Sequence, residues 1–207
     1  MAHPPATRAD ATRQRLLDAA FIEFFRNGFQ AGSLSAVVAG AGATKGALFH
    51  HFDGKQALGW AVVDDVVGPL LVRRWLDPLE GADDPVPVLQ GCFRRLIAED
   101  TGSGHWVHGC PMNNLAQEMS PLDEGFRTRI DALYARWRAT VADALVRGQR
   151  ARTVRADVDV HAAATLVVLS QQGIWGTGKY SQDPALMTQA GEALCAYLDS
   201  LRPAGAR

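Results

Sequence analysis

The side chains best suited to bind a polyanion lie within residues 44–55, T-K-G-A-L-F-H-H-F-D-G-K. This short segment combines two lysines with two adjacent histidines, Lys45, Lys55, His50 and His51. Cations near phosphates supply the salt-dependent part of DNA affinity, and contacts to base edges supply specificity. We therefore expect the segment to contact duplex DNA. The alternative for His50 and His51 is a pair of merely solvated side chains.

Small residues at the start of this segment also fit a close approach to DNA. Thr44 and Lys45 fall at the predicted start of a helix, where backbone N–H groups favour phosphate. Gly46 comes next, and a glycine inside a helix costs about 1 kcal/mol relative to alanine. We expect Gly46 to let the backbone approach the DNA closely. The alternative is that Gly46 packs against the first helix of the chain.

Two short helices joined by a tight turn are predicted to hold these residues. Ser33 is a candidate N-cap of the first helix. Its apolar residues recur at helical spacing: Leu34, Val37, Val38 and Ala41. Glycines within residues 40–42 end that helix, because glycine adopts the left-handed conformation easily. Thr44 caps the second helix, and Leu48 and Phe52 give it an inward face. Such a pattern is typical of a DNA-reading helix-turn-helix.

A second candidate for chemistry is Cys110, in the stretch H-W-V-H-G-C-P before a predicted helix that starts at Pro111. A helix N-terminus and a nearby histidine such as His108 lower the pKa of a thiol and favour the reactive thiolate. Lys179 is a candidate cationic partner, and the alternative for Cys110 is a small buried apolar residue. His105, His108 and Cys110 match no familiar zinc spacing, and no fourth ligand is evident, so no metal is expected.

The segment G-I-W-G-T-G-K, residues 173–179, fits the spacing of a phosphate-binding loop. Tyr180 follows where the Mg²⁺-binding Ser or Thr would stand, and the segment ends a predicted helix instead of joining a strand to a helix. A glycine-rich helix terminus is therefore the simpler interpretation. An enzyme that uses a nucleotide here, or the thiol of Cys110 with His108, is kept only as an alternative function.

The length and composition are those of a globular chain with a large core. Of 207 residues, 47% are hydrophobic, and the formal net charge is -1, which argues against a uniformly basic nucleic-acid binder. Residues 1–55 carry six Lys or Arg against four Asp or Glu, so the excess of positive charge is confined to this part. Three widely spaced cysteines do not make a disulfide framework, and no apolar run is long enough for a membrane helix. We expect a cytoplasmic protein.

Apolar periodicity predicts an all-α chain with no β alternation, repeats or low-complexity segments. A first amphipathic helix ends at Asn27-Gly28, and a mobile arm over residues 1–10 precedes it, with Arg8 as a weak candidate for the minor groove. Further helices are predicted over residues 56–79, 88–100, 111–119, 122–148, 160–175 and 184–201. Gly68-Pro69 predicts a kink or break in the first of these. We divide the chain into a head, 1–55, and a body, 56–207.

The segment G-A-T-K-G-A-L-F-H-H-F-D-G-K resembles the recognition segment of TetR-family transcriptional regulators, usually close to G-V-S-K-G-T-L-Y-H-H-F-x-S-K. The similarity extends upstream through R-L-L-D-A-A-F-I-E-F-F-R-N-G-F and covers roughly a fifth of the chain. This resemblance implies an N-terminal three-helix helix-turn-helix head on a helical body that binds an effector and dimerises. It also implies a DNA-binding regulator, usually a repressor.

The resemblance carries residue roles onto the head. The DNA-binding residues it implies are Ser33, Thr44, Lys45, Gly46, Leu48, Phe49, His50, His51 and Lys55. Of these, His51 and Lys55 would contact flanking phosphates. Ala47 stands where the family often has a hydroxyl, Phe49 where it usually has Tyr, and Ala43 where it has a larger apolar residue. Base readout is then expected to depend on Lys45, on His50 and on apolar contacts with thymine methyl groups.

The same resemblance implies an effector pocket in the body. The candidate pocket residues are Phe93, Trp106, Cys110, Met112, Asn113, Tyr134, Trp137, Gln171 and Trp175. A mostly apolar cavity with a few polar groups is the expected site, and a plain core position is the alternative for each residue. The stretch G-C-P-M-N-N-L-A-Q-E is similar to that of a TetR subgroup with a reactive cysteine sensor. Effector binding or modification of Cys110 would change the separation of two DNA-binding heads and release the DNA.

The last two helices are rich in small and branched residues and are expected to form a four-helix interface between two copies. The residues predicted for this interface are Ala162, Ala163, Ala164, Val167, Val168, Ala190 and Leu194. The expected partners are therefore a near-palindromic DNA duplex, a second copy of the chain and a small-molecule effector. No cofactor and no membrane are expected.

Overall fold

The computed structural model describes residues 8–204, which are almost entirely helical and contain no β-strand. The α-helices are α1 Arg8–Asn27, α2 Leu34–Gly40, α3 Lys45–His51, α4 Lys55–Val62, α5 Gly68–Leu71, α6 Pro85–Ser103, α7 Pro111–Met119, α8 Glu124–Arg150, α9 Val160–Ser181 and α10 Pro184–Ser200. The all-α prediction is confirmed. The expected N-terminal arm falls mostly on residues outside the described range, whereas Arg8 to Asp10 already belong to α1.

The chain forms two compact units. Met1–Pro69 and Asn114–Ile130 make up the first unit, and Leu70–Asn113 and Asp131–Arg207 make up the second. The sequence division at residue 55 remains a prediction about the extent of the DNA-binding part. Within residues 8–204, no helix combines the length and the apolar character that a bilayer crossing needs.

The core of the first unit is built from apolar faces of α1, α2, α3 and α4. Its fully buried side chains include Leu16, Leu17, Val37, Leu48 and Leu58. Burial of each leucine contributes about 1.5–3 kcal/mol. Phe29 stacks edge-on against Phe24 at 5.1 Å and against Phe126 at 4.8 Å between ring centroids. A Cβ on Gly59 would lie 2.5 Å from the Phe29 ring and 2.6 Å from the Phe126 ring, so only glycine admits both aromatic rings.

Of the kink or break predicted at Gly68-Pro69, the break does not occur. The chain is helical from Lys55 to Leu79, with π-helical turns over Val63–Val67 and Val72–Leu76 and a 3-10 turn over Asp77–Leu79. The Gly68 N–H bonds to the Val63 carbonyl, five residues back, instead of four. A wider turn accommodates a residue that has no N–H and whose ring crowds the preceding turn. The proline therefore changes the helical geometry without ending the helix.

In the second unit, α10 packs on both α6 and α9. Arg94 on α6 and Glu192 on α10 form a two-pronged ion pair, with N–O distances of 2.8 and 2.7 Å. Deeper in the unit, Gln90 donates its side-chain amide to the Cys195 carbonyl at 2.9 Å. Several helix boundaries differ from the predicted ones, and the differences at α6 and α9 are the largest. Helix α6 runs to Ser103, with a 3-10 turn at His105–His108 where a loop was expected, and α9 runs to Ser181 instead of ending near residue 175.

Candidate nucleic-acid interface and effector site

Side-chain caps start both short helices of the predicted reading motif. Ser33 Oγ accepts a hydrogen bond from the Ala36 N–H at 3.4 Å, and Thr44 Oγ1 accepts one from the Ala47 N–H at 3.1 Å. Gly42, in the turn between α2 and α3, has φ +56°, which glycine adopts without strain. The predicted helix, glycine turn and helix are therefore present, and Ser33 and Thr44 both have structural roles as caps.

The two faces of α3 differ as their spacing predicted. Leu48 is fully buried, while Lys45, Gly46, Phe49 and His50 are exposed. Phe49 leaves 48% of its surface exposed, which is unusual for a side chain of this size. The assignment of Leu48 as a DNA-binding residue is therefore corrected, because a side chain without accessible surface cannot touch a duplex. It holds α3 against the core instead.

Open space surrounds Gly46. A Cβ at this position would meet only Thr44 Oγ1, at 3.9 Å, among the described residues. The alternative that Gly46 packs against the first helix is therefore wrong. No neighbour within the unit therefore requires glycine here, and the close approach of this backbone to DNA remains a prediction.

His51 and Lys55 are less free than Lys45. Lys55 donates to the Gln30 carbonyl at 2.8 Å, and its ammonium lies over the Phe29 ring, 5.1 Å from the centroid. His51 is half-buried and stacks edge-on against His50 at 5.1 Å. Lys55 retains further N–H donors for a phosphate, since an ammonium carries three. Its proposed phosphate contact remains a prediction.

A shallow depression of about 190 Å³ lies between α2 and α3 and was not predicted from the sequence. Its lining residues are Leu34, Ser35, Val38, Ala39, Lys45, Leu48 and Phe49. The exposed residues Ser35 and Ala39 extend the surface of α3 with small side chains. The helical spacing of α2 placed both on its polar side, which was the available signal.

In the second unit, Cys110 lies just before the start of α7. The Met112 and Asn113 N–H groups and the Gln171 side chain hydrogen-bond to its thiol. Burial nevertheless raises the pKa of the Cys110 thiol, because it outweighs these hydrogen bonds, and nearby Asp100 acts in the same direction. The sequence predicted a lowered pKa, and that prediction is wrong.

Large aromatic rings pack together near this thiol. Trp75 lies 4.8 Å from Phe93, 5.0 Å from Trp137 and 5.9 Å from Trp175, measured between ring centroids. Tyr134 and Trp137 are nearly parallel, at 6.5 Å. Trp75 was missed in the sequence because it lies in an apolar run that resembles any buried helix. The structure thus brings together Phe93, Trp137 and Trp175 of the predicted pocket, with Tyr134 beside them.

Two further residues of the predicted pocket are Trp106 and Met112. Trp106 is half-buried in the 3-10 turn His105–His108 and makes no ring contact with the aromatic cluster among the described residues. Met112 is buried, and its backbone N–H hydrogen-bonds to the Cys110 thiol.

Four buried polar atoms of the second unit have no hydrogen-bond partner among the described residues. They are Asn113 Oδ1, Tyr134 OH, Trp137 Nε1 and Gln171 Oε1. An unpaired buried polar group costs about 1–3 kcal/mol, so such groups are rare in structural cores. All four residues belong to the predicted effector set. Their concentration favours a binding site over a plain core at this place.

A buried carboxylate adjoins the aromatic cluster. Asp100 accepts hydrogen bonds from Trp175 Nε1 at 2.7 Å and from an Arg74 N–H at 2.8 Å, one to each oxygen. Neither Asp100 nor Arg74 was predicted, since a charge at the end of an amphipathic helix usually faces solvent. Their pairing gives Trp175 a fixed orientation.

The alternative sites find no support. Residues 173–179 lie inside α9 and make no strand-to-helix loop, so the phosphate-loop interpretation is wrong. No group of three or more His, Cys, Asp or Glu within residues 8–204 is placed to hold a metal ion.

The exposed apolar surface of α9 differs from the predicted dimer face. Ala163, Ala164, Val167, Val168 and Leu194 are buried within the protomer, so their assignment to an interface is corrected. On the opposite side of α9, Ala162 is exposed, and Leu166 and Leu169 leave 44% and 54% of their surfaces accessible. Exposed leucines one turn apart are typical of an interaction surface.

Comparisons with known proteins match both parts of the chain to one family. A model of "Bacterial regulatory proteins, tetR family" matches residues 16–61, and a model of "Tetracyclin repressor-like, C-terminal domain" matches residues 74–194, more than half of the chain. The HTH-type transcriptional repressor DhaR of Mycobacterium sp. (strain GP1) is 28% identical over 162 residues, which cover 78% of this chain and 79% of that protein.

Solved structures share the fold. A TetR-family regulator from Cytophaga hutchinsonii superposes with a TM-score of 0.86 at 20% identity, covering 96% of this chain and 98% of that one. The TetR-family regulator CifR, solved in complex with a 26-bp double-strand operator DNA, superposes with a TM-score of 0.74 at 20% identity, covering 94% and 98%.

Proposed function

The chain belongs to the tetR family of bacterial regulatory proteins, and we propose that it is a cytoplasmic repressor that binds operator DNA as a homodimer and leaves it when an effector binds. The alternative of an enzyme finds no support, because the family and the named relatives are transcription regulators. The observation that carries the proposal is the outward face of α3, where Lys45, Gly46, Phe49 and His50 are exposed above the buried Leu48.

On this face each side chain has a role in DNA binding. Lys45 is exposed and forms no ion pair among the described residues, so its charge is available to a phosphate. Gly46 allows the backbone to approach, and the exposed Phe49 ring is suited to a thymine methyl group. Operator binding by CifR supports the use of this fold for the same purpose. Ser33, Thr44, His50, His51 and Lys55 complete the proposed surface.

Dimer formation is assigned to the exposed side of α9 with α10. Leu166 and Leu169 are exposed there, and a second copy related by a twofold axis would cover both. Two heads then read half-sites about 34–36 Å apart, or a multiple of that distance, on a near-palindromic operator.

The effector is proposed to bind around Cys110, among the unpaired polar atoms of Asn113, Tyr134, Trp137 and Gln171. Of the two release mechanisms predicted from the sequence, non-covalent binding is the better supported. A thiol whose pKa is raised by burial is mostly protonated at neutral pH, and the protonated form is a poor nucleophile. Modification of Cys110 is the second candidate.

The decisive experiment is selection of bound duplexes from a random pool, followed by titration of the selected duplex with wild type and with Lys45→Ala. The variant should weaken binding and lower the dependence of affinity on salt by about one released ion. Lys179→Ala is the matched control, because Lys179 lies on α9, outside the proposed surface.

Failure to enrich any duplex at low ionic strength would contradict DNA binding altogether. Equal salt dependence for wild type and Lys45→Ala would remove Lys45 from the interface and leave the family assignment unaffected.

A further inference from the structure

The hydrogen-bonding groups left open around Cys110 define what the site can recognise. Tyr134 OH and Trp137 Nε1 can donate, and Asn113 Oδ1 and Gln171 Oε1 can accept. Tyr134, Trp137 and Gln171 are almost completely buried, with at most 8% of their surfaces accessible. A molecule that satisfies these atoms must therefore offer donors as well as acceptors.

These atoms belong to one neighbourhood. The Cys110 thiol hydrogen-bonds to the Gln171 side chain and to the Asn113 N–H, and it is close enough to Tyr134 for its charge to act on the phenol. Tyr134 is linked to Trp137 through rings that are within 8° of parallel. Cys110 and Asn113 retain some accessible surface, so the neighbourhood reaches from the protein surface into the aromatic core.

The charges in this neighbourhood are already paired. Asp100 uses one oxygen for Arg74 and the other for Trp175, at 2.8 and 2.7 Å. A cationic ligand would have to compete with Arg74 for Asp100. An anionic ligand would meet the charge of Asp100, which already disfavours a negative charge on the Cys110 thiol. Burying an unpaired charge is far more costly than burying a neutral polar group.

We infer that the site around Cys110 takes an uncharged, planar molecule that carries both hydrogen-bond donors and hydrogen-bond acceptors. The aromatic side chains beside the thiol, Tyr134 and Trp137 among them, favour a flat ring, which aromatic side chains bind by stacking. The open donors and acceptors select hydroxyl, amide or carbonyl substituents on that ring. This inference rests on the proposed function, since it names the chemical class of the effector.

Three probes of the same shape and different charge test the inferred ligand class. They are para-hydroxybenzamide, para-hydroxybenzoate and para-hydroxybenzylamine at pH 7. Binding to the full chain is followed at millimolar ligand by tryptophan fluorescence, because four tryptophans lie in the second unit. The neutral amide should bind, and the anionic and cationic probes should bind about tenfold more weakly or not at all. Equal or tighter binding of either charged probe would overturn the inference.

The Tyr134→Phe variant identifies the site. Loss of the hydroxyl should weaken binding of the amide about fivefold, the effect of one hydrogen bond. It should leave the melting temperature of the free protein unchanged or raised, because this hydroxyl has no partner to lose. Tyr197→Phe, on α10 and outside the neighbourhood, is the matched control and should change neither quantity.

A purely structural Tyr134 would instead lower the melting temperature and leave binding unchanged, which would contradict the site. Binding of the selected duplex is measured on the same samples. If that duplex is bound and the amide is not, the ligand class is wrong and the proposed function stands. If no duplex is ever bound, the proposed function fails, and the binding data still decide the ligand class.

Discussion

Trp175 donates its indole N–H to Asp100 at 2.7 Å, and so a tryptophan of the aromatic cluster is held by a buried carboxylate. The other oxygen of Asp100 accepts from Arg74, whose side chain is 29% exposed. The charge of Asp100 is thus compensated from one side only. The arrangement makes Arg74 more important to the fold than a surface arginine usually is.

Arg74→Met should lower the free energy of unfolding by about 2 kcal/mol, less than for a fully buried pair because Arg74 retains solvent contact. Urea titration measures this change. Arg95→Met is the control, because Arg95 pairs with Glu99 at 3.1 Å on the exposed side of α6 and should cost less than about 0.5 kcal/mol. Equal costs for both variants would show that Asp100 does not depend on Arg74.

Gly46→Ala should stabilise the free protein by about 1 kcal/mol, because alanine is the better helix former and meets open space here. The same change should weaken binding of the selected duplex, since the added methyl group keeps the backbone away from DNA. Gly91→Ala, at an open position inside α6, should give a similar gain in stability with unchanged DNA binding. Tighter DNA binding by Gly46→Ala would refute the role of Gly46.

Leu169→Glu should convert the dimer to a monomer and weaken operator binding, because it places a charge in the proposed interface. Light scattering during size-exclusion chromatography measures the mass. Leu122→Glu is the control, since Leu122 is still more exposed, at 63%, and lies in the first unit. A dimer that survives Leu169→Glu would move the interface elsewhere.

Alkylation of Cys110 by iodoacetamide should be slow at pH 7 and should accelerate through pH 9, because burial raises the pKa of this thiol above its ordinary value of about 8.5. Peptide mass spectrometry resolves it from Cys92 and Cys195. A rate that is already maximal at neutral pH would restore the reactive-thiolate sensor predicted from the sequence.

The same raised pKa makes stability depend on pH. The folded state favours the protonated thiol, so the stability it contributes is complete below the unfolded pKa of about 8.5 and is lost as pH rises through the folded value. The free energy of unfolding of wild type should therefore fall more steeply above pH 8.5 than that of Cys110→Ser. Parallel curves would show that ionisation of Cys110 is not coupled to folding.

Local sequence patterns were sufficient to predict the helix-turn-helix formed by α2 and α3. Ser33 and Thr44 cap α2 and α3 as predicted, because capping depends on residues within one turn. Helix α7 begins at Pro111, as predicted from the proline at its first position, and it ends at Met119 as predicted. By contrast, Pro69 was expected to kink or break a helix, and the π-helical turns that accommodate it could not be recognised from the composition of the segment.

Properties that depend on packing could not be predicted. Helix α9 is apolar on two sides, so the spacing of its apolar residues does not predict which side is buried. In the structure Val167 and Val168 are buried, and Leu166 and Leu169 are exposed. The environment of Cys110 was misjudged for a related reason. Neighbours along the chain suggested a lowered pKa of this thiol, whereas burial dominates and raises it. The pocket residues were predicted mainly because large aromatic side chains are few.

The unpaired atoms of Asn113, Tyr134, Trp137 and Gln171 have a practical consequence for identifying the proposed effector. A compound that forms hydrogen bonds with these atoms removes the free-energy cost of leaving them unpaired. It should therefore raise the melting temperature more than a non-specific apolar binder does. Melting curves can therefore rank a compound library before any promoter sequence is known.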